Sequence, residues 1–271
     1  MHPDTMSFFR NSGRAVGGAL VFSLPMLMTQ EMWWLGYAID PLRLALFVVL
    51  SIPMLTALSH YIGFESTSCW RDSGFDALFA IGVGILLSSV VLVAVGMLKP
   101  GQSWSARIGQ VAIQVVPASI GAVLARGQFG MSPIEDRRAQ SAPYVGEIFL
   151  MAVGAVFLGF NIAPTDEMVM LSARMTSWHA IALVLLSLAV MHGFVFAVGF
   201  RGGTQLSAEE PWWSAFTRFT LPGYVAALLI SLYVLWTFGR VDGASFSHTC
   251  MAVVVLGFPS SLGAAAARLI I

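Results

Sequence analysis

Residues 17–32, GGALVFSLPMLMTQEM, return 136 positions further on as residues 153–168, VGAVFLGFNIAPTDEM. Gly18, Ala19, Thr29, Glu31 and Met32 recur in order as Gly154, Ala155, Thr165, Glu167 and Met168. The same offset, without a gap, carries Ser51 onto Ser187 and the pair Gly63 and Phe64 onto Gly199 and Phe200. Past the segment 201–210, which is longer than its counterpart, the offset becomes 142 and Trp70 meets Trp212. VPASIGAVLAR (116–126) then falls on FPSSLGAAAAR (258–268), sharing P-x-S-x-G-A-x-x-A-R. Apolar segments resemble one another through composition alone. These matches, however, include Glu, Pro, Trp and Arg, keep their order, and change register once, inside a loop. They read as two related halves.

The medium for which the halves are built follows from composition. Of 271 residues 57% are hydrophobic and 10% are charged, with a formal net charge of zero. A water-soluble domain carries roughly a quarter charged residues, so this chain lacks the means to cover a surface facing water. Apolar runs of about 20 residues, the length that crosses a bilayer, recur along it. Reading them between charged or Gly/Pro-rich breaks predicts helices near 15–37, 42–63, 75–98, 106–126, 144–163, 177–199, 214–238 and 247–268. The N-terminus superficially resembles a signal peptide but has no small-residue cleavage site, and it reads as an uncleaved first helix. With no basic excess, nothing marks nucleic acid as a partner.

An arrangement with both termini cytoplasmic places Arg10, Arg14, Arg71, Arg126, Arg137, Arg138, Arg201, Arg218 and Arg268 inside, against Arg43, Lys99, Arg107, Arg174 and Arg240 outside. That bias follows the positive-inside rule. All eight tryptophans fall near predicted helix ends, where indole rings prefer the membrane interface. Cys69 and Cys250 then lie on opposite sides, so no disulfide is expected between them. The expected architecture is an all-α membrane protein of about eight transmembrane helices, arranged as two parallel four-helix repeats, 1–127 and 144–271, joined by a cytoplasmic linker at 128–143. An even number of helices per half makes both halves enter from the same side, which is the parallel-repeat class of transporter.

Polar groups inside such a chain single themselves out, because an ionisable residue at the centre of a membrane helix costs about 2.5–3.5 kcal/mol on insertion scales. Glu31 and Glu167 form the leading pair. Thr29 and Thr165 stand beside them as oxygen donors, and Asp166 is a further acid whose counterpart is Gln30. The run N-I-A-P-T-D-E (161–167) carries a helix-start signature and predicts a broken fifth helix. Discontinuous helices of this kind make ion sites in transporters, and hard oxygen ligands suit a proton, sodium or calcium. The competing expectation is a glutamate that snorkels into the outer interface, since Glu31 lies roughly 25 Å along the helix from Arg14 and next to Trp33 and Trp34.

Pro117, Ser119, Gly121 and their counterparts Pro259, Ser261 and Gly263 read as a kink and close-packing motif. Asp76 aligns with Arg218, a candidate ion pair, and His192 is a candidate proton relay. No H-E-x-x-H, G-x-S-x-G, phosphate-loop or zinc-spaced Cys/His pattern occurs. No cofactor is implied, and the identity of any metal is left open.

At F-N-I-A-P-T-D-E (160–167), together with chain length and the eight-helix plan, the sequence resembles a family of bacterial polytopic integral membrane proteins of uncharacterised function. The resemblance implies a bacterial inner-membrane location and no assigned activity. The functional expectation is a secondary transporter or channel for a small cation or proton-coupled solute. The alternatives are a non-catalytic membrane subunit or scaffold and an intramembrane lipid-modifying enzyme. Expected partners are membrane lipids, a small cation or proton, and a second copy or another membrane protein.

Overall fold

The computed structural model describes residues 3–62, 70–130, 144–197 and 212–267. The linker at 131–143 and Cys69 lie outside them, and Cys250 is a free, exposed thiol. Among the described residues all regular structure is helical. The chain divides into two compact units, Met1–Asp136 and Arg137–Ile271. The first contains α1 (Pro3–Leu27), α2 (Gln30–Ala38), α3 (Pro41–Ile62), α4 (Trp70–Ala94) and α5 (Trp104–Gly130). The second contains α6 (Tyr144–Ile162), α7 (Asp166–Arg174) and α8 (Ser177–Ala197). It continues with α9, running from Trp212–Ala215 through a π-helical turn, Phe216–Thr220, into Leu221–Thr237, and closes with α10 (Phe246–Ala267).

Seven of these helices, α3, α4, α5, α6, α8, α9 and α10, are long and apolar enough to cross a membrane. The single helix predicted over 15–37 is two helices, interrupted at Met28 and Thr29. The predicted break in the second half is present, with α6 ending at Ile162 and α7 starting at Asp166.

Local structure in the two units corresponds closely. α2 and α7 have equal length and lie 136 residues apart. Each follows an extended threonine, Thr29 or Thr165, and each ends on an extended residue, Ile39 or Met175, whose N–H bonds Leu35 O or Leu171 O. α4 and α9 begin at Trp70 and Trp212, and α5 and α10 at Trp104 and Phe246, both 142 residues apart. α4 and α9 also stop alike. Gly96 (φ 73°) and Gly239 (φ 68°) adopt the left-handed conformation, and Met97 N and Arg240 N reach back to Leu92 O and Leu235 O at 2.8 and 2.9 Å. This six-residue cap closes a helix whose last carbonyls have no intrahelical donor.

In each unit the last helix is the hub. α5 touches α1, α2, α3 and α4, and α10 touches α6, α7, α8 and α9. Burial follows: 83% of the apolar window of α5 is buried, against 33% for α3 and 28% for α4. The hub helices can take this position because P-A-S-I-G-A and P-S-S-L-G-A are small-residue faces, which let apolar helices pack through backbone contact. α1 crosses α5 where Gly18 meets Gly121, and a Cβ on either would overlap the carbonyl of the other. α6 crosses α10 in the same way at Gly154 and Gly263. Ser119 does not repair the carbonyl freed by Pro117. Its Oγ donates to Val115 O (2.6 Å) and reaches Ala80 O of α4 (3.3 Å), while Ser261 Oγ donates to Phe258 O (2.7 Å).

The crossings are therefore the sensitive points of the fold. Gly121→Val and Gly263→Val are each expected to destabilise the purified protein by about 2 kcal/mol or more, since a tightly packed interface has no room for the added methyls. Gly82, whose Cβ would meet nothing within 4 Å, is expected to accept alanine within about 0.5 kcal/mol. Unfolding midpoints in detergent separate the two classes, and equal effects would refute the packing account.

Candidate functional site at the helix breaks

In the first unit the break lies between α1 and α2, and the partners of the freed carbonyls can be counted. Uninterrupted helix would pair Pro25 O, Met26 O and Leu27 O with the N–H groups of Thr29, Gln30 and Glu31. Instead Thr29 Oγ1 donates to Pro25 O. Thr29 N donates to Met26 O at 3.3 Å, where Gln114 Nε2 also donates at 3.3 Å. Trp33 Nε1 donates to Leu27 O at 2.7 Å. Three side chains thus take the place of backbone amides, which is how a helix interruption survives away from water. Thr29 is consequently not a cap for α2: its hydroxyl turns back to α1.

α2 lies against α5 with little between them. A Cβ on Gly36 would overlap Gln110, and one on Gly109 would overlap Gly36 O. The stripe of α2 that faces inward comprises half-buried Glu31 and buried Met32, Leu35 and Gly36, which share a helical face. Across from it Gln110 and Gln114, one turn apart on α5, are 2% and 1% exposed. Gln110 Nε2 donates to Trp33 O at 3.4 Å. The amide oxygens of both residues are buried and have no hydrogen-bond partner. Glu31, in the first turn of α2, makes no hydrogen bond or ion pair among the described residues.

The second break is held differently. Thr165 Oγ1 and Thr165 N both donate to Ile162 O, at 2.8 and 3.0 Å, so this threonine also turns back. The chain reversal at Gly239 delivers Arg240 to the break, where its guanidinium donates to Pro164 O and pairs with Asp166 Oδ1 at 3.1 Å. Arg240 is 16% exposed and Asp166 79%. Glu167 is exposed within its unit. The positions corresponding to Gln110 and Gln114 are Ala252 and Leu256, so the glutamine pair belongs to the first unit; at the second break Asn161 Nδ2 donates to Phe157 O within its own helix, and its Oδ1 is buried without a partner.

His192 lies in the last third of α8, where its Nδ1 and Thr220 Oγ1 are 2.9 Å apart and its ring meets Phe216 edge-on at 5.4 Å. Both partners belong to the π-helical turn of α9. Arg218 sits in the same turn, and its carbonyl accepts a 2.7 Å bond from Tyr144 OH. In the first unit, Asp76 is half-buried near the start of α4 and accepts from Ser59 Oγ at 3.4 Å. Nearby, His60 stacks on Trp70 at 4.1 Å. Each unit thus gathers one set of polar groups at its helix break and a second set where α4 or α9 begins. Among the described residues no three His, Cys, Asp or Glu side chains converge as a metal site.

Sequence reading ranked ionisable residues and so passed over Gln110 and Gln114. A signal existed: two amides at i and i+4 in an otherwise apolar span carry their own burial penalty. In the sequence Arg240 carries only a topological signal and Trp33 only that of an interface residue.

No curated protein and no solved structure matches the chain. Residues 11–271, nearly the whole length, match the family described as "Putative integral membrane protein (DUF2391)". A chain rich in membrane-length apolar helices, packed through glycine and small residues, is what that description requires, and the protein belongs to this family of integral membrane proteins.

Proposed function

We propose that the protein is a secondary transporter or channel that moves a small cation or a proton-coupled solute across the bacterial inner membrane. In this reading its two units are copies of one four-helix module, inserted in parallel with both termini in the cytoplasm. The observation that carries the reading is the interrupted first helix of each unit, with an acid in the first turn that follows. Interruption is tolerated in lipid where the backbone is sheltered by protein or lines a cavity, and transporters place substrate and ion groups at such points. The matching helix boundaries, threonine turns and glycine crossings support the duplication, and the cytoplasmic excess of arginine supports the orientation.

Of the three acids at the breaks, Glu31 has the environment of a ligand, half-buried beside the amides of α5. Asp166 already has a resident cation in Arg240. In proteoliposomes with an imposed sodium or proton gradient, Glu31→Gln is expected to lower flux at least tenfold, and Glu167→Gln to lower it less. Flux unchanged in both single variants and in the double variant would refute the transport reading.

Arg240 is expected to act on stability. Arg240→Met leaves Pro164 O without its side-chain donor and should lower unfolding stability by about 1–3 kcal/mol. Asp166→Asn removes an exposed pairing and should lower it by less than about 1 kcal/mol. Denaturation of the two variants side by side checks the order, and a larger loss in Asp166→Asn would assign the work to the ion pair instead.

A further inference from the structure

The two buried amides of α5 pose a question that packing does not answer. Gln110 and Gln114 could each have been an apolar residue, as Ala252 and Leu256 are in the second unit. Both amide nitrogens donate to carbonyls at the break, Trp33 O and Met26 O. This fixes the side-chain orientation, since rotating an amide would set its oxygen against a carbonyl oxygen. Both amide oxygens are left buried and without partners, and an unsatisfied buried acceptor costs about 1–3 kcal/mol. Two such oxygens on one face of one helix, one turn apart, are a place for something that donates or carries positive charge.

We propose that Gln110 Oε1 and Gln114 Oε1 are ligands of a single alkali cation bound between α5 and the α1–α2 break. The inference rests on the cation-transport reading and adds its ligands and charge class. Carboxamide oxygens are hard, neutral donors suited to an alkali ion. The C-terminal end of α1 adds the negative pole of its helix dipole. Glu31 is the one carboxylate of α2 and lies on the stripe that faces α5. Arg107, one turn ahead of Gln110, is directed away: its Nη2 donates to Lys99 O at 3.1 Å and its guanidinium lies over the Trp104 ring. One carboxylate and two amides balance one positive charge. A divalent ion would leave an uncompensated charge in a medium where that is expensive. The second unit has no counterpart to this site, because apolar side chains replace its ligands and Arg240 supplies a fixed positive charge at its break.

The test is binding to the full chain in lipid nanodiscs, read as unfolding temperature while sodium or potassium chloride replaces choline chloride at constant ionic strength. A ligand that binds only the folded state raises that temperature in a saturating manner. The expected result is a rise of roughly 4 °C or more with an alkali cation, abolished in Gln110→Met/Gln114→Met. No alkali-specific rise, as when water alone fills the site, overturns the proposal. So does a rise that persists in the double variant, or one produced by calcium or magnesium instead. Should the double variant fail to fold, Gln110→Met alone decides, since it keeps the Gln114 bond to Met26 O: the half-saturating concentration is expected to rise at least tenfold, and an unchanged value overturns the assignment. Because the readout is binding, its failure is distinct from a failure to observe flux.

Discussion

In an apolar medium every backbone carbonyl needs a donor, and no water stands ready to supply one. An interrupted helix therefore survives only where side chains replace the amides it has lost. Thr29, Trp33 and Gln114 do so in the first unit, and Thr165 and Arg240 in the second. The remaining polar features at the breaks follow from this requirement. A glutamine carried into the core to satisfy one carbonyl brings an oxygen with it, and that oxygen then needs a partner of its own.

Such replacement needs backbones close together, and glycine provides the approach. Without side chains at Gly18 and Gly121, or at Gly154 and Gly263, α1 and α6 can lie on the hub helices. Gly36 and Gly109 extend the close contact to α2, which is why a residue as short as glutamine spans from α5 to Trp33 O. Lipid offers no hydrophobic drive for helices to associate, so dispersion contacts at such crossings and the hydrogen bonds between helices carry the packing.

Much of this was legible in the sequence. Composition and the length of apolar runs located seven helices within a few residues, because membrane thickness sets a length that hydropathy reports directly. The small-residue faces of α5 and α10 were legible for the same reason that they pack. The break in the second half carried a proline and two acids as markers. The break in the first half did not: Pro25 lies four residues before Thr29 and is compatible with a bent but continuous helix. What ends α1 is competition for its carbonyls by Trp33 and Gln114, one of them distant in sequence, and no local pattern encodes that. Gln110 and Gln114 escaped notice because charge was used as the measure of polar cost, although a neutral amide in hydrocarbon is also costly when unpaired.

The difference between the breaks bears on how a duplicated module would acquire a function. With corresponding helix breaks, threonine turns and glycine crossings, both units solve the packing problem alike, so packing does not require the polar groups to differ. Yet one break is stapled by a guanidinium, a permanent charge that also neutralises Asp166. The other is stapled by amides, which satisfy the backbone while leaving acceptors over. An arginine brings a fixed positive charge to its break, whereas the two glutamines bring neutral oxygens that a mobile charge can use. In the reading proposed here, duplication supplies two scaffolds of equal geometry, and the choice between arginine and glutamine as the staple decides which one binds.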